Sequence, residues 1–323
     1  MRPAPRARWD ELRRLLDRGA AKLGPADVRR LCRLYRQVTI DLSHARAAGD
    51  DPARIQYLNM LAARAHGQVY ATERVRIRPV VEFVTGGFAR SLRRNWRPVA
   101  AATLVFLLST LASGLAVVRD PEVAYSLFDE RVVEYENLRL EKQEGEYRGN
   151  FTFSTAESPL VAVTIIGNNV KVAILAFGLG AAGCFLGVLL LVYNGRMLGT
   201  LTGLVYNGGY LVGFYAIIAA HGVLELSAIC ISAGGGFRLG WAVLAPGRRP
   251  RADALRAASG DAFRLLAGAV LMLLVAGVIE AFVTPHFGAA VRWTTAAVTG
   301  GLFAAYVACA GRGQSFPPSI TSR

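Results

Sequence analysis

The stretch PVAAATLVFLLSTLASGLAVV, residues 98–118, contains no charged residue. At about 1.5 Å of rise per residue, a helix of that length crosses the roughly 30 Å hydrocarbon core of a bilayer. Further apolar stretches follow at about 170–193, 198–220, 221–244, 263–284 and 289–309. Composition agrees with membrane residence: 53% of the 323 residues are hydrophobic, only 19% are charged, and mean hydropathy is +0.34. That balance is a poor fit to a disordered chain, a collagen-like repeat or a soluble nucleic-acid module. The sequence therefore predicts an all-α polytopic membrane protein of about six transmembrane helices.

Working outward from the first span, residues 1–78 read as a cytoplasmic helical domain. Val28, Leu31, Cys32, Tyr35, Val38 and Leu42 recur at helical spacing after Pro25. Asp51-Pro52 reads as the cap and first turn of another helix, with Ile55, Leu58, Leu61 and Ala62 on one face. Residues 79–97 mix Val80, Val81, Phe83, Phe88, Leu92 and Trp96 with Arg90, Arg93, Arg94 and Arg97. Apolar bulk beside arginines just before a span suits an amphipathic helix at the membrane interface. Residues 119–167 are polar and acidic and predict a small helical extracytoplasmic domain. The remaining spans occupy 168–310, and 311–323 form a cytoplasmic tail.

Charge sets the predicted orientation. Residues 1–97 hold 21 Lys/Arg against 9 Asp/Glu, whereas residues 119–171 hold 6 against 10. Placing the amino terminus inside also puts the basic segments 194–197 and 246–262, and Arg312, inside. Six spans with both termini cytoplasmic follow from the positive-inside rule, in a prokaryotic cytoplasmic membrane. The net charge of +14 is thereby assigned to topology and anionic lipid, with no nucleic-acid partner. The first long apolar run begins only after nearly 100 polar residues, so no cleavable signal peptide is expected.

Polar residues inside spans are costly and mark function or helix–helix ties. Asn168-Asn169 enters the second predicted span, His221-Gly222-Val223-Leu224-Glu225 opens the fourth, and Glu280 ends the fifth. His221 and Glu225 lie one helical turn apart on one face. In the predicted topology all of these share the outer leaflet, where they would form one polar cluster if their helices are neighbours. His221, Glu225, Glu280 and His286 are residue types that ligate metals, although HGxxE is not the HExxH arrangement. Acid–base chemistry and plain hydrogen-bonded glue are the competing readings. No cofactor is named by any motif: phosphate loops, GxSxG elbows and dinucleotide fingerprints are missing. Cys32, Cys184, Cys230 and Cys309 are scattered and read as small core residues. Glycines spaced by four, as in Gly195/Gly199/Gly203, predict close helix packing within the chain and leave a homodimer open.

NNVKVAILAFGLG (168–180), HGVLELSAI (221–229), RLGWAVL (238–244) and IEAFVTP (279–285), in that order, resemble the stage II sporulation protein M family. The resemblance implies an integral membrane protein. In spore formers it implies a scaffold that holds peptidoglycan-degrading enzymes at the engulfing membrane. For this chain the expectation is a cell-envelope scaffold recruiting protein partners through 1–78 and 119–167. The alternatives are a transporter, channel or lipid translocator, and a metal-dependent intramembrane hydrolase.

Overall fold

The computed structural model describes residues 5–19, 23–69, 77–145, 147, 149 and 153–312, among which there are helices and no strand. The expected all-α class holds. Two compact units divide the chain, Met1–Arg78 and Pro79–Arg323.

The first unit contains α1 (Pro5–Arg18), α2 (Pro25–Ala47) and α3 (Pro52–Val69), each starting on a proline whose fixed φ suits a first helical turn. The Asp51 carboxylate accepts a hydrogen bond from the Ala53 amide at 3.0 Å, capping α3. Leu12, Leu16, Leu31, Leu34, Val38, Leu58, Leu61 and Ala65 form its core. Val28, expected on the inner face of α2, is exposed, and Leu34 and Ala45 are inside instead.

The second unit starts with α4 (Ile77–Glu82), a π-helical turn (Phe83–Gly87) and α5 (Phe88–Arg94). It continues through α6 (Trp96–Arg119), α7 (Val123–Leu127), α8 (Glu130–Glu141), α9 (Ser158–Ala181) and α10 (Phe185–Asn207). The last helices are α11 (Leu211–Leu244), α12 (Arg251–Phe282) and α13 (Ala289–Cys309). Five of them, α6 and α9 to α12, are long and apolar enough to cross a membrane. The sixth predicted span is the 21-residue α13, where a buried Arg292 and three threonines dilute the apolar run.

Helix boundaries differ from the sequence reading in several places. Helix α9 begins at Ser158-Pro159, about ten residues before the expected entry at Asn168-Asn169. The expected turn at Asn194-Gly195-Arg196 lies inside α10, because its glycine serves packing; the chain turns instead at 182–184 and 208–210. There Gly183 and Gly209 take φ of 135° and 83°, a region that glycine enters without Cβ strain. Arg196 consequently sits mid-helix beside the Tyr193 ring, 6.0 Å from its centroid. Finally, Arg251 and Arg256, expected in a loop, lie in the first turns of α12.

Close contacts hold the bundle together. A Cβ at Gly195 would stand 2.6 Å from the Phe106 carbonyl oxygen, and one at Gly203 2.6 Å from the Val117 Cβ. A Cβ at Gly199 would collide with the Thr110 carbonyl oxygen. The glycine row on α10 is therefore spent inside the chain, against α6. Hydrogen bonds cross the same seam from Ser109 to the Val192 carbonyl (2.8 Å) and from Asn207 to the Val117 carbonyl (3.0 Å).

The polar insert between α6 and α9 is tied to the span ends. Tyr147 packs against Tyr210 and Phe214, and its hydroxyl is bonded by Arg139, which also pairs with Glu136. Burial raises the Tyr147 phenol to about 12, against the lowering effect of the Arg139 guanidinium.

Gly199→Leu should destabilise the bundle by about 1–3 kcal/mol or more through overpacking. Gly178→Leu, at a position open for 4 Å around, should leave it unchanged; the SDS-unfolding midpoint in mixed micelles reports both. Tyr147 keeps its proton to higher pH when folded than in the unfolded chain. The stability from this shift is complete below about pH 10 and is lost as pH rises toward about 12. Tyr147→Phe should flatten that alkaline loss, and an unchanged profile would remove Tyr147 as its source.

Candidate functional site

Two neighbouring helices bring the site together. Helix α11 runs unbroken through the HGVLE segment, so His221 lies well inside it rather than opening a span. The four-residue spacing puts His221 and Glu225 on one face. Helix α12 supplies Glu280 two residues before its end, and the following turn supplies Thr284.

The geometry is tight. His221 Nε2 lies 3.9 Å from Glu225 Oε2 and 3.8 Å from Glu280 Oε2. On the other side of the ring, Nδ1 is 3.3 Å from the hydroxyl of Thr284, which is wholly buried. The side chains of His221, Glu225 and Glu280 are only 8%, 18% and 14% exposed. Both carboxylate oxygens facing the imidazole are buried without a hydrogen-bond partner. One ligand atom from each of the three residues falls within 4.8 Å of the others. Such an arrangement can hold a metal ion, relay a proton or tie two helices.

The other residues singled out in the sequence lie elsewhere. Asn168 is exposed on α9 and bonds weakly to its neighbour Asn169 at 3.4 Å; no contact brings either into the His–Glu group. His286 bonds Ser158 at 2.9 Å and meets the Phe153 ring edge-on, which ties the start of α9 to the α12–α13 turn. It is not in the three-residue group. Gly222 is buried next to His221 and lines an apolar groove of about 480 Å³ with Thr103, Phe106, Ile218 and Trp293.

The arginines before the first span have protein partners. Arg93 donates to the carbonyls of Val307 and, at 2.8 Å, Ala310, and Arg90 to that of Gly311 at 3.4 Å. These are the carbonyl-rich end of α13 and the residues just beyond it, where cations are favoured. Arg94 pairs with Asp261 on α12 at 3.0 Å, while Arg97 stands over the Trp96 ring. Phe88 and Leu92 are buried against α12 and α13, whereas Val80, Val81, Val84 and Trp96 face outward. The sequence reading missed Thr284 and Asp261. Thr284 carried a signal, standing one turn after Glu280 in the EAFVT run, whereas nothing about Asp261 marked it as an anchor.

The family model described as stage II sporulation protein M matches residues 102–285, more than half of the chain and all three site residues. The chain belongs to this family. A second model, described as a domain of unknown function (DUF8413), matches residues 3–71, within the first compact unit. No curated protein and no solved structure matches the chain. The stage II sporulation protein M region thus starts inside α6 and ends at the turn just after Glu280 and Thr284, so His221, Glu225, Glu280 and Thr284 all belong to it.

Thr284→Val preserves shape but leaves the imidazole Nδ1 without its partner, at a cost of about 1–3 kcal/mol. In a double-mutant cycle with His221→Ala, the two losses should fall short of additive by about 0.5 kcal/mol or more. Full additivity of unfolding midpoints would mean that the Thr284–His221 contact carries no energy.

Proposed function

We propose that the chain is a membrane scaffold or assembly protein of the cell envelope that recruits protein partners through its polar regions. One observation carries this reading: Met1–Arg78 is a compact unit with its own core of eleven buried residues. A bundle that acts only within the lipid has no need of such a unit, whereas a recruiting protein needs a folded surface in water. Its faces are rich in arginine, and several of those arginines are engaged in pairs such as Arg30–Glu11, at 2.8 Å, and Arg64–Asp17, also at 2.8 Å.

Orientation follows the same proposal. Counting α6 and α9 to α12 as spans and α13 as a return crossing, the α11–α12 connection lies on the side of the amino terminus. Arg248, Arg249, Arg251 and Arg256 surround that connection, whereas the acidic insert is on the opposite side. Placing both termini in the cytoplasm of a prokaryotic cell satisfies the positive-inside rule even with Arg196 moved into a helix.

Crosslinking in intact membranes followed by mass spectrometry tests the scaffold. The full chain should capture defined proteins, and a chain beginning at Pro79 should reach the membrane yet lose at least tenfold of that capture. Capture undiminished by the truncation would rule out the amino-terminal unit as the recruiting surface.

A further inference from the structure

We infer that His221, Glu225 and Glu280 form a binding site for a divalent transition-metal ion, held between α11 and α12 within the membrane bundle. The inference goes beyond the scaffold reading and does not depend on it.

Ligand type is the first ground. One imidazole nitrogen and two carboxylate oxygens are ordinary donors for zinc and its neighbours, and three protein donors leave a coordination position open. Spacing is the second. Nε2 stands 3.9 and 3.8 Å from the two Oε2 atoms, too far for hydrogen bonds. Around a tetrahedral ion with bonds of about 2.1 Å, neighbouring donors stand about 3.4 Å apart. Closing that difference takes a shift of about half an ångström in each nitrogen–oxygen pair, within the reach of glutamate side-chain torsions, and all three donor atoms already lie within 4.8 Å of one another.

The third ground is the pair of buried carboxylate oxygens with no hydrogen-bond partner. Buried polar atoms are nearly always satisfied, and buried charges are paired or coordinate metals. The two carboxyl groups lie against each other and face one imidazole, whose Nε2 is too far from either oxygen to bond it. A dication between them would satisfy both oxygens and cancel their joint charge. The fourth ground is orientation. With the Nδ1 proton donated to the Thr284 hydroxyl, 3.3 Å away, Nε2 keeps its lone pair toward the carboxylates. A ligating histidine is commonly fixed by such a bond from its other nitrogen.

Other polar groups in the bundle do not make a comparable site. His286 is engaged by Ser158, and the buried thiol of Cys230 has Thr103 beside it and no other cysteine near it in the sequence. Among the described residues the His221 group is the one set of three or more His, Cys, Asp or Glu with atoms close enough to share an ion.

The test uses the full chain, purified in detergent without chelator, with metal content read by elemental mass spectrometry. The expected result is near-stoichiometric transition metal, reduced at least tenfold in His221→Ala, Glu225→Gln and Glu280→Gln, with Glu136→Gln unchanged. After stripping, added Co²⁺ should give visible d–d absorption that Zn²⁺ displaces. The glutamine variants are nearly isosteric, so they answer the question even if His221→Ala fails to fold. Less than about a tenth of an ion per chain, together with no Co²⁺ spectrum and no thermal shift with Zn²⁺, would overturn the site. Metal retained in all three variants would overturn it equally. Loss of metal with partner capture intact, or the reverse, separates this site from the scaffold reading.

Discussion

Lipid tails are as apolar as leucine, so these helices cannot associate by escaping water. Close backbone approach takes that role. At the α6–α10 seam, Gly195, Gly199 and Gly203 let the Phe106, Thr110 and Val117 turns come nearer than any Cβ would permit. A second set, Gly180, Gly187, Gly236 and Gly240, joins α9, α10 and α11 in the same manner. Dispersion over these flat contacts, with bonds such as Ser232 to the Ala173 carbonyl at 2.7 Å, replaces the driving force a soluble bundle would have. The glycine content follows from that constraint and is not a sign of flexibility.

The same scarcity of water governs the ionisable groups. Several charges near the spans are returned to backbone carbonyls, as Arg93 is at the end of α13, or paired, as Arg94 is with Asp261. The His221–Glu225–Glu280 group departs from that economy, since two of its oxygens are left without partners. Several other polar side chains of the bundle are satisfied locally: Thr103, Thr110 and Ser113 bond back to carbonyls four residues earlier. Two carboxylate oxygens buried side by side set the site apart, a cost accepted for some return other than helix packing.

Hydropathy is additive along the chain, so the sequence disclosed the five long apolar helices, while the sixth predicted span, α13, falls short of them. It disclosed the face shared by His221 and Glu225 because helical periodicity is local. It did not disclose where helices turn. Asn194-Gly195-Arg196 has the composition of a loop, and only the neighbouring α6 explains why a glycine is wanted there inside a helix. Likewise the meeting of Glu280 with His221 depends on α11 packing against α12, and a single sequence does not report adjacency. The arginines before the first span were legible as a basic cluster, but the partners of Arg90 and Arg93 lie some two hundred residues away, at Val307 to Gly311. Asn168-Asn169 looked equivalent to the His–Glu group by depth, yet depth does not fix which side of a helix faces inward.

Helices α11 and α12 contain 34 and 32 residues. At 1.5 Å per residue each is about 50 Å long, some 20 Å more than the hydrocarbon needs. Their far ends pack on each other through Leu239, Ala242, Ala258 and Ala262, so the excess is a paired, rigid hairpin and not two frayed tips. Such a pair answers hydrophobic mismatch by tilting or by standing clear of the headgroups. Bilayer thickness therefore loads these two helices differently from their shorter neighbours. A thinning membrane would bear first on the one helix pair that carries His221, Glu225 and Glu280.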